Sequence, residues 1–269
     1  MDPLRPQRRG FGLIRDIARR LFPAPFKPTW DGIYARLRDV PADGSSYDDE
    51  RRIGEMLRFA EAALAKQRGG GDPALWHDAL AVLAGGIAAE RGQVEVLDFG
   101  GALGTAYIHL LATLPRDARL RHCIVDQPKM CAAGARLFEG EERVVFSTAL
   151  ADAVGAPDIV YANSVLPYVE DYAGLLRRLA ARRARYLLLG RFAGGSYPTY
   201  ATRQLNLSGQ VLGYWFHNSA EVKGILRGAG YQLAYEGLTG PEYDQRNFPE
   251  SHRVGRMQNL LFVRAPGGA

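Results

Sequence analysis

The chain has 269 residues, of which 47% are hydrophobic, and its formal net charge is +5. This length fits one domain plus an N-terminal extension, and the hydrophobic fraction is enough to bury a core. No apolar run reaches the ~18 residues that a membrane span needs, and no cleavable signal peptide is evident. The two cysteines, Cys123 and Cys131, lack disulfide or metal-site spacing, so we expect reduced core residues, no metal and a cytoplasmic location.

The positive charge is concentrated at the start of the chain. Residues 1–38 carry nine Arg or Lys and three Asp, a surplus of +6, so the rest of the chain has a net charge of −1. The charge of the remaining chain therefore does not indicate a broad basic surface. Nucleic-acid binding is not expected.

Residues 1–28 are predicted to form a basic amphipathic segment. Within residues 8–22, four apolar residues repeat at helical spacing among arginines: Ile14, Ile17, Ala18 and Leu21. This pattern is typical of a helix that lies on an anionic membrane, here the inner face. A helix that packs on its own domain with solvated arginines has the same pattern. A mitochondrial presequence is disfavoured because no serine precedes Ser45.

Residues 29–90 are predicted to be a helical extension, with helices near 48–66 and 73–90. The chain then enters a short apolar strand over residues 94–97. It turns through glycines into a helix over 103–114, which is the arrangement of a ligand-binding loop at a helix N-terminus. The loop residues with this role are Asp98, Gly100, Gly101 and Gly104. Ala102 lies between them and is expected to resist a positive φ.

The next predicted strand, residues 120–126, ends in Asp126 and is followed by Gln127 and Pro128. A carboxylate at this position can accept hydrogen bonds from the ribose hydroxyls of a nucleoside. It can also cap the helix that Pro128 begins. Both roles are compatible.

Strands are then predicted at 143–148, 158–163 and 185–190, with two more at 231–236 and 259–264. The strand at 158–163 ends in Asn163, which either lies beside a ligand or satisfies loop backbone. Because strands alternate with helices and the chain closes with a hairpin, the sequence predicts an open, doubly wound α/β sheet.

Two connections, residues 191–217 and 237–258, are long and rich in aromatic and polar residues. Loops of this length usually bind something, so we expect them either to contact the substrate or to pack as a structural lid. His217 is the first candidate for a general base because imidazole titrates near neutral pH. The alternative is a core or capping residue beside Asn218. The next candidate bases are His252, Glu170 and Asp171.

The loop pattern Asp-x-Gly-x-x-x-Gly over residues 98–104 resembles the first motif of class I S-adenosylmethionine-dependent methyltransferases. The resemblance covers roughly residues 90–265 and makes 91–269 the S-adenosylmethionine-binding domain. It implies a Rossmann-like sheet of seven strands, six parallel and the last antiparallel. It also implies that the cofactor contacts the loop after the first strand and the ends of the second and fourth strands. The implied cofactor-binding residues are Asp98, Gly100, Gly101, Gly104, Asp126, Gln127 and Asn163.

Three segments further resemble a little-studied bacterial methyltransferase group whose members tend to accompany surface-polysaccharide synthesis. They are Trp30-x-Gly32-x-Tyr34, residues 97–104 and Tyr214-Trp215-Phe216-His217. This resemblance implies a glycan or lipid-linked saccharide as the methyl acceptor. The motifs that accompany methylation of planar amines or of cytosine C5 are absent, so an oxygen atom of a glycan or small molecule is expected.

Two rival functions remain at this point. An NAD-dependent sugar oxidoreductase is disfavoured because the loop lacks the full Gly-x-Gly-x-x-Gly pattern. A catalytically silent Rossmann-like module that serves as an assembly partner is compatible with every feature of the sequence. The oligomeric state is not indicated by the sequence.

Overall fold

The computed structural model describes residues 26–43, 49–153, 156–207 and 210–265. The strands are β1 (Trp30–Tyr34), β2 (Gln93–Phe99), β3 (Arg119–Val125), β4 (Val144–Ser147), β5 (Ile159–Asn163), β6 (Tyr186–Phe192), β7 (Gly194–Gly195), β8 (Tyr200–Leu207), β9 (Gln210–Asn218), β10 (Tyr231–Thr239) and β11 (Met257–Arg264). The α-helices are α1 (Glu50–Arg68), α2 (Asp78–Arg91), α3 (Thr105–Thr113), α4 (Pro128–Leu137), α5 (Tyr172–Ala180) and α6 (Ser219–Gly228). The amphipathic pattern of residues 8–22 lies outside the described residues.

Seven strands form one sheet in the order β10-β11-β6-β5-β2-β3-β4. The four pairs from β6 to β4 are parallel, whereas β11 is antiparallel to both β6 and β10. Six strands therefore run in one direction and the last strand runs against them. The predicted doubly wound, seven-stranded sheet is confirmed.

The centre of this sheet is buried on both faces, which explains why its strands are nearly continuous apolar runs. Along β2, Val94 and Val96 pack towards α1 to α4, whereas Leu97 packs towards α5 and α6. Because successive side chains of a strand point to opposite faces, β2 contributes residues to the hydrophobic cores on both sides of the sheet. Of the two cysteines, Cys131 is buried, Cys123 is half-buried, and both thiols are free.

A second sheet, with the order β1-β8-β9-β7, was not predicted. The hairpin of β8 and β9 covers residues 200–218, and residues 191–217 were interpreted as a connection. Strand β1 pairs antiparallel with β8 and comes from residues 29–90, which were predicted to be helical. The extension therefore contributes a strand to this sheet in addition to helices α1 and α2.

The aromatic run of β9 is a strand that is buried on both sides. Tyr214 and Phe216 pack on Trp30, with ring centroids 5.6 Å and 5.1 Å away. Trp215 and His217 face the opposite side and contact Tyr172, at 5.8 Å and 4.6 Å. This period-two alternation, rather than a ligand-binding loop, accounts for the aromatic residues. Two of the segments that carry the bacterial-group resemblance therefore meet in one aromatic core.

The side chain of Asn218 caps the helix after β9. The Oδ1 atom of Asn218 accepts hydrogen bonds from the backbone N–H groups of Ala220 and Glu221, at 2.9 Å and 3.1 Å. These bonds satisfy two of the donors that the first turn of α6 leaves unpaired. Within the described ranges, none of the helices has the length and apolar character needed to cross a membrane.

Replacing Gly134 with Ala should lower the free energy of unfolding by about 1–3 kcal/mol because the added methyl group overpacks the contact between α4 and β4. A Cβ at Gly134 would lie 2.2 Å from Cε1 of Phe146. Gly86→Ala in α2 is the matched control, since a Cβ there meets nothing within 4 Å. The control should gain about 1 kcal/mol from helix propensity. Urea unfolding measures both variants, and equal changes in stability would contradict the packing argument.

Candidate active site

A cleft of about 580 Å³ opens at the carboxyl ends of β2, β3 and β5. This edge of a parallel sheet is where α/β proteins bind ligands, and the volume is in the usual range for a small-molecule site. The structure brings six of the seven predicted cofactor residues together in its walls: Asp98, Gly100, Gly101, Asp126, Gln127 and Asn163. The seventh, Gly104, lies next to the cleft but does not line it.

The glycine loop after β2 turns through three residues with positive φ: Gly100 at 74°, Ala102 at 49° and Gly104 at 73°. A Cβ at Gly100 would lie 2.4 Å from Cγ2 of Val165, so the close approach of the two loops requires glycine. At Gly104, a Cβ would lie 2.9 Å from the ring of Phe138. Gly104 therefore permits tight packing of the start of α3 rather than contact with a ligand.

Ala102 adopts the positive φ that it was expected to resist. Its backbone N–H donates a hydrogen bond to Oδ2 of Asp126, at 2.8 Å. A left-handed conformation costs a residue with a Cβ about 1–2 kcal/mol, and a hydrogen bond to a charged group contributes a similar amount. The carboxylate at the end of β3 thus holds the loop at the end of β2 in its shape.

The Asp126 carboxylate accepts a second backbone hydrogen bond at its other oxygen, from the N–H of Gln127 at 2.7 Å. Burial raises the pKa of Asp126, and the N–H groups of Gln127 and Ala102 oppose that rise. Each carboxylate oxygen can accept more than one hydrogen bond, so both retain capacity towards the cleft. Asp126 can therefore hold the loop and bind a ligand hydroxyl at the same time.

Asp98 lies beneath the loop and is almost fully buried, with 1% of its surface exposed. Its Oδ2 atom lies 3.2 Å from Nε2 of His122, which is equally buried on β3. A Cβ at Gly101 would lie 2.4 Å from the same oxygen, so the loop backbone sits directly on the carboxylate. The geometry gives Asp98 a supporting position under the loop.

Asn163 ends β5 and presents an unused acceptor at the cleft. Its Oδ1 atom is buried and has no hydrogen-bond partner within the described part of the chain. Gly190, its neighbour on β6, leaves room for the side chain, because a Cβ there would lie 2.5 Å from that oxygen. A buried acceptor without a partner costs about 1–3 kcal/mol, which a ligand donor can recover.

His77 is a cleft residue that was not predicted. Its Nδ1 atom lies 2.9 Å from the hydroxyl of Tyr161, and its Nε2 atom lies 3.2 Å from Oγ1 of Thr105. Burial lowers the pKa of His77 to about 4, so the ring is neutral at pH 7. No local motif marks this residue, since His77 and Tyr161 are 84 positions apart and meet only in the fold.

The structure does not bring His217 into the cleft. The residue has no exposed surface, and its ring stacks on Phe192 at 5.6 Å and meets the edge of Tyr172 at 4.6 Å. Burial lowers its pKa to about 3. Because a general base must reach the proton that it removes, the catalytic interpretation of His217 is replaced by its alternative, a core residue beside Asn218.

The other candidate bases also lie outside the cleft walls. Asp171 caps α5 by accepting a hydrogen bond from the N–H of Gly174 at 2.8 Å, and His252 contacts Ser251. No group of three or more His, Cys, Asp or Glu is placed to hold a metal ion within the described ranges. The cleft thus offers carboxylate and amide acceptors, loop backbone and apolar walls.

Comparison with known proteins identifies the fold. No protein-family model matches the chain, and no curated protein matches it. Among solved structures, the chain is similar to magnesium protoporphyrin IX methyltransferase from Synechocystis PCC 6803, which was crystallised with bound S-adenosylhomocysteine. The identity is 18% and the TM-score is 0.50, over 81% of this chain and 96% of that one. The protein therefore has the Rossmann-like fold of class I S-adenosylmethionine-dependent methyltransferases.

Two more distant structures are an N1-methyltransferase for 1,6-didemethyltoxoflavin and an amino pentose methyltransferase. The first, from Burkholderia thailandensis, is 18% identical with a TM-score of 0.46 and covers 79% of this chain and 90% of its own. The second, from Micromonospora echinaspora, is 15% identical with a TM-score of 0.47 and covers 76% of this chain and 95% of its own. The fold assignment rests on the strand order and on the Synechocystis structure.

Replacing His217 with Phe should make the protein less sensitive to acid. The pKa of His217 is lowered from 6.5 to about 3 in the folded state, so below pH 6.5 the unfolded chain gains a proton that the folded protein excludes. The free energy of unfolding carries no penalty from His217 above pH 6.5. It falls as the pH drops towards 3, by about 2 kcal/mol at pH ~5. Urea unfolding over this range should show a smaller decline in the variant. Parallel pH profiles for the two proteins would contradict the argument.

Proposed function

We propose that the protein is a class I S-adenosylmethionine-dependent methyltransferase that methylates an oxygen atom of a saccharide or another small-molecule hydroxyl. One observation carries the proposal: Asp126 and Asn163, whose buried Oδ1 has no hydrogen-bond partner among the described residues, line the same cleft as the glycine loop. A fold hosts many functions, so the argument rests on these groups and not on the fold alone.

The groups of the cleft match the polar ends of S-adenosylmethionine. Asp126 would accept hydrogen bonds from the ribose hydroxyls, as acidic residues do at this position of nucleotide-binding sheets. The amide oxygen of Asn163 needs a donor, and an ammonium group is one. Gly100 and Gly101 let the loop backbone approach the same ligand without interference from a Cβ. Gln127 would border the nucleoside beside Asp126.

S-adenosylmethionine, when bound, supplies a methyl group on a sulfonium, which is a good leaving group. The task of the protein is then alignment and exclusion of water. The apolar walls that Val125, Met130 and Val165 give the cleft suit this task. His77 fixes the hydroxyl of Tyr161 and the side chain of Thr105, so these cleft groups keep one position.

The oxygen acceptor is supported by the motifs of the chain. The resemblance of residues 30–34, 97–104 and 214–217 to a polysaccharide-associated bacterial group favours a glycan or lipid-linked saccharide. The segment after β5 reads Ser164-Val165-Leu166-Pro167-Tyr168 and lacks the Asn/Asp-Pro-Pro-aromatic motif of planar amine methylation. We therefore place the protein in surface-polysaccharide biosynthesis, in the cytoplasm and at the inner face of the membrane.

The two rival functions are less well supported. An NAD-dependent sugar oxidoreductase would need a loop for the dinucleotide pyrophosphate, and residues 98–104 lack the corresponding glycine pattern. A silent assembly module would bind no ligand. The buried Oδ1 atom of Asn163 would then stay without a hydrogen bond and would destabilise the fold with no compensating interaction. Binding experiments separate all three functions.

Calorimetric titration of the full chain with S-adenosylhomocysteine and with NAD tests the proposal. We expect micromolar binding of S-adenosylhomocysteine alone, and Asp126→Ala should weaken it by about 1–3 kcal/mol, roughly 5- to 150-fold in Kd. Asp117→Ala is the matched control, because Asp117 is exposed in the turn before β3, at the opposite edge of the sheet. Binding of NAD alone would support the oxidoreductase, and binding of neither compound would support the silent module.

The membrane contact through residues 8–22 is tested separately. If these residues form a basic amphipathic helix, the full chain should sediment with vesicles that contain anionic lipid and much less with neutral vesicles. A chain without residues 1–24 should lose this binding and keep its affinity for S-adenosylhomocysteine. Unchanged sedimentation of the shortened chain would exclude the membrane contact.

A further inference from the structure

One exposed aromatic residue lies beside the cleft and is not explained by packing. Trp76 has 76% of its surface exposed, whereas the other two tryptophans, Trp30 and Trp215, have 3% and 6% exposed. The guanidinium carbon of Arg191 lies over the Trp76 ring, 5.5 Å from its centroid. An exposed indole that is covered only in part presents a free apolar surface to solvent.

Both residues are directly attached to cleft walls. Trp76 precedes His77, whose ring lines the cleft, and Arg191 follows Gly190, which pairs with the cleft residue Asn163. Burial raises the pKa of Tyr161, another wall residue, and the Arg191 charge opposes that rise, so the guanidinium lies within electrostatic range of the wall. The Trp76–Arg191 pair therefore adjoins the cleft wall, although neither residue is among those that line the cleft.

Among the described residues, the Arg191 charge has no ion-pair partner. No Asp or Glu in the described part of the chain has an oxygen within 4.0 Å of its guanidinium nitrogens. Arg191 also has a φ of 47°, an uncommon conformation for a residue with a Cβ. Its backbone N–H donates to Oδ1 of Asn259 on β11, at 3.0 Å, which holds the residue in this conformation. An unpaired arginine held in one place is suited to binding an anion.

We propose that Trp76 and Arg191 form the outer part of the acceptor site and bind an acceptor that carries a carboxylate or a phosphate. The inference rests on the proposed methyltransferase function and adds the charge of its substrate. A guanidinium that stacks on an indole keeps the N–H groups of its edge free for an oxyanion. The open indole surface beside it offers a stacking partner for the sugar ring of the acceptor.

The two sources of such an anion are a uronic acid and a phosphorylated sugar. We expect a neutral sugar to bind more weakly at this site than either anion, because a guanidinium forms its strongest hydrogen bonds with charged acceptors. The cleft itself carries the carboxylates of Asp98 and Asp126, which would repel an anion placed deep inside. The anionic group is therefore expected at the edge of the cleft, beside Arg191, with the reacting hydroxyl further in.

The full chain, saturated with S-adenosylhomocysteine, should be titrated with glucuronate, glucose 1-phosphate and glucose by saturation-transfer difference NMR. We expect at least one of the two anions to bind about tenfold more tightly than glucose. Comparison of the two anions distinguishes a uronic acid from a phosphorylated sugar. Arg191→Gln should remove the preference for the anion without changing the affinity for S-adenosylhomocysteine.

Two further variants separate a binding role from a structural one. Arg227→Gln makes the same charge change at an exposed position in the last turn of α6 and should leave anion binding unchanged. Trp76→Ala should weaken the anion and the neutral sugar alike, since it removes the stacking surface, whereas Trp76→Phe should retain part of that binding. Because Trp76 is exposed, neither change should lower the thermal unfolding temperature.

Tryptophan fluorescence gives a second readout that needs no substrate. Iodide is an anion, so it should quench the emission of Trp76 more strongly in the parent than in Arg191→Gln, while neutral acrylamide should quench both equally.

The results overturn the inference if S-adenosylhomocysteine binds but the anions bind no better than glucose, or if Arg191→Gln and Arg227→Gln behave alike. Failure of S-adenosylhomocysteine to bind would instead overturn the proposed function.

Discussion

The cleft depends on one hydrogen bond, from the backbone N–H of Ala102 to the carboxylate of Asp126. It joins the loop after β2 to the end of β3. It also holds Ala102 in a left-handed conformation, which is costly for a residue with a Cβ. Asp98 supports the same loop from below through its contact with His122. Two carboxylates at the ends of adjacent strands thus shape one loop, and both residues line the cleft. Loss of Asp126 therefore affects both the shape of the loop and the groups available to the nucleoside.

The second sheet contacts the cleft wall through Tyr168. Tyr168 lines the cleft, donates a hydrogen bond to Oε1 of Gln204 on β8 at 2.8 Å, and meets the edge of Tyr214 at 5.2 Å. Trp30 packs behind Tyr214. The aromatic motifs of β1 and β9 therefore lie behind the cleft wall, and neither Trp30 nor Tyr214 lines the cleft. Trp30 and Tyr214, which lie in two segments that share one resemblance, are far apart in the sequence but in contact in the fold.

The parts of this structure that could be predicted are those encoded by local pattern. Residues 94–104 contain an apolar strand, glycines and a helix start in succession, so the loop was evident from the sequence, and so was Asp126 at the next strand end. Residues 191–217 were interpreted as a connection because polar residues such as Thr202, Arg203 and Gln204 interrupt the apolar alternation of β8. His217 looked catalytic because its residue type titrates near neutral pH, whereas its position on β9 buries it between Phe192 and Tyr172. Burial depends on the partner strand, which the sequence does not reveal.

The proposed cofactor and acceptor halves of the site differ in how far apart their residues lie in the chain. Six of the seven predicted cofactor residues lie within residues 98–127, a single strand-helix-strand unit, and the seventh, Asn163, comes from the end of β5. The proposed acceptor half comes from the ends of elements that are distant in sequence: Trp76 lies before α2 and Arg191 lies near the end of β6. Arg191 is held by Asn259 of the antiparallel strand β11, so the last strand of the chain positions a residue beside the cleft wall. Under the proposed function, acceptor choice would change through single residues at these element ends, while the loop and Asp126 would keep the cofactor half intact.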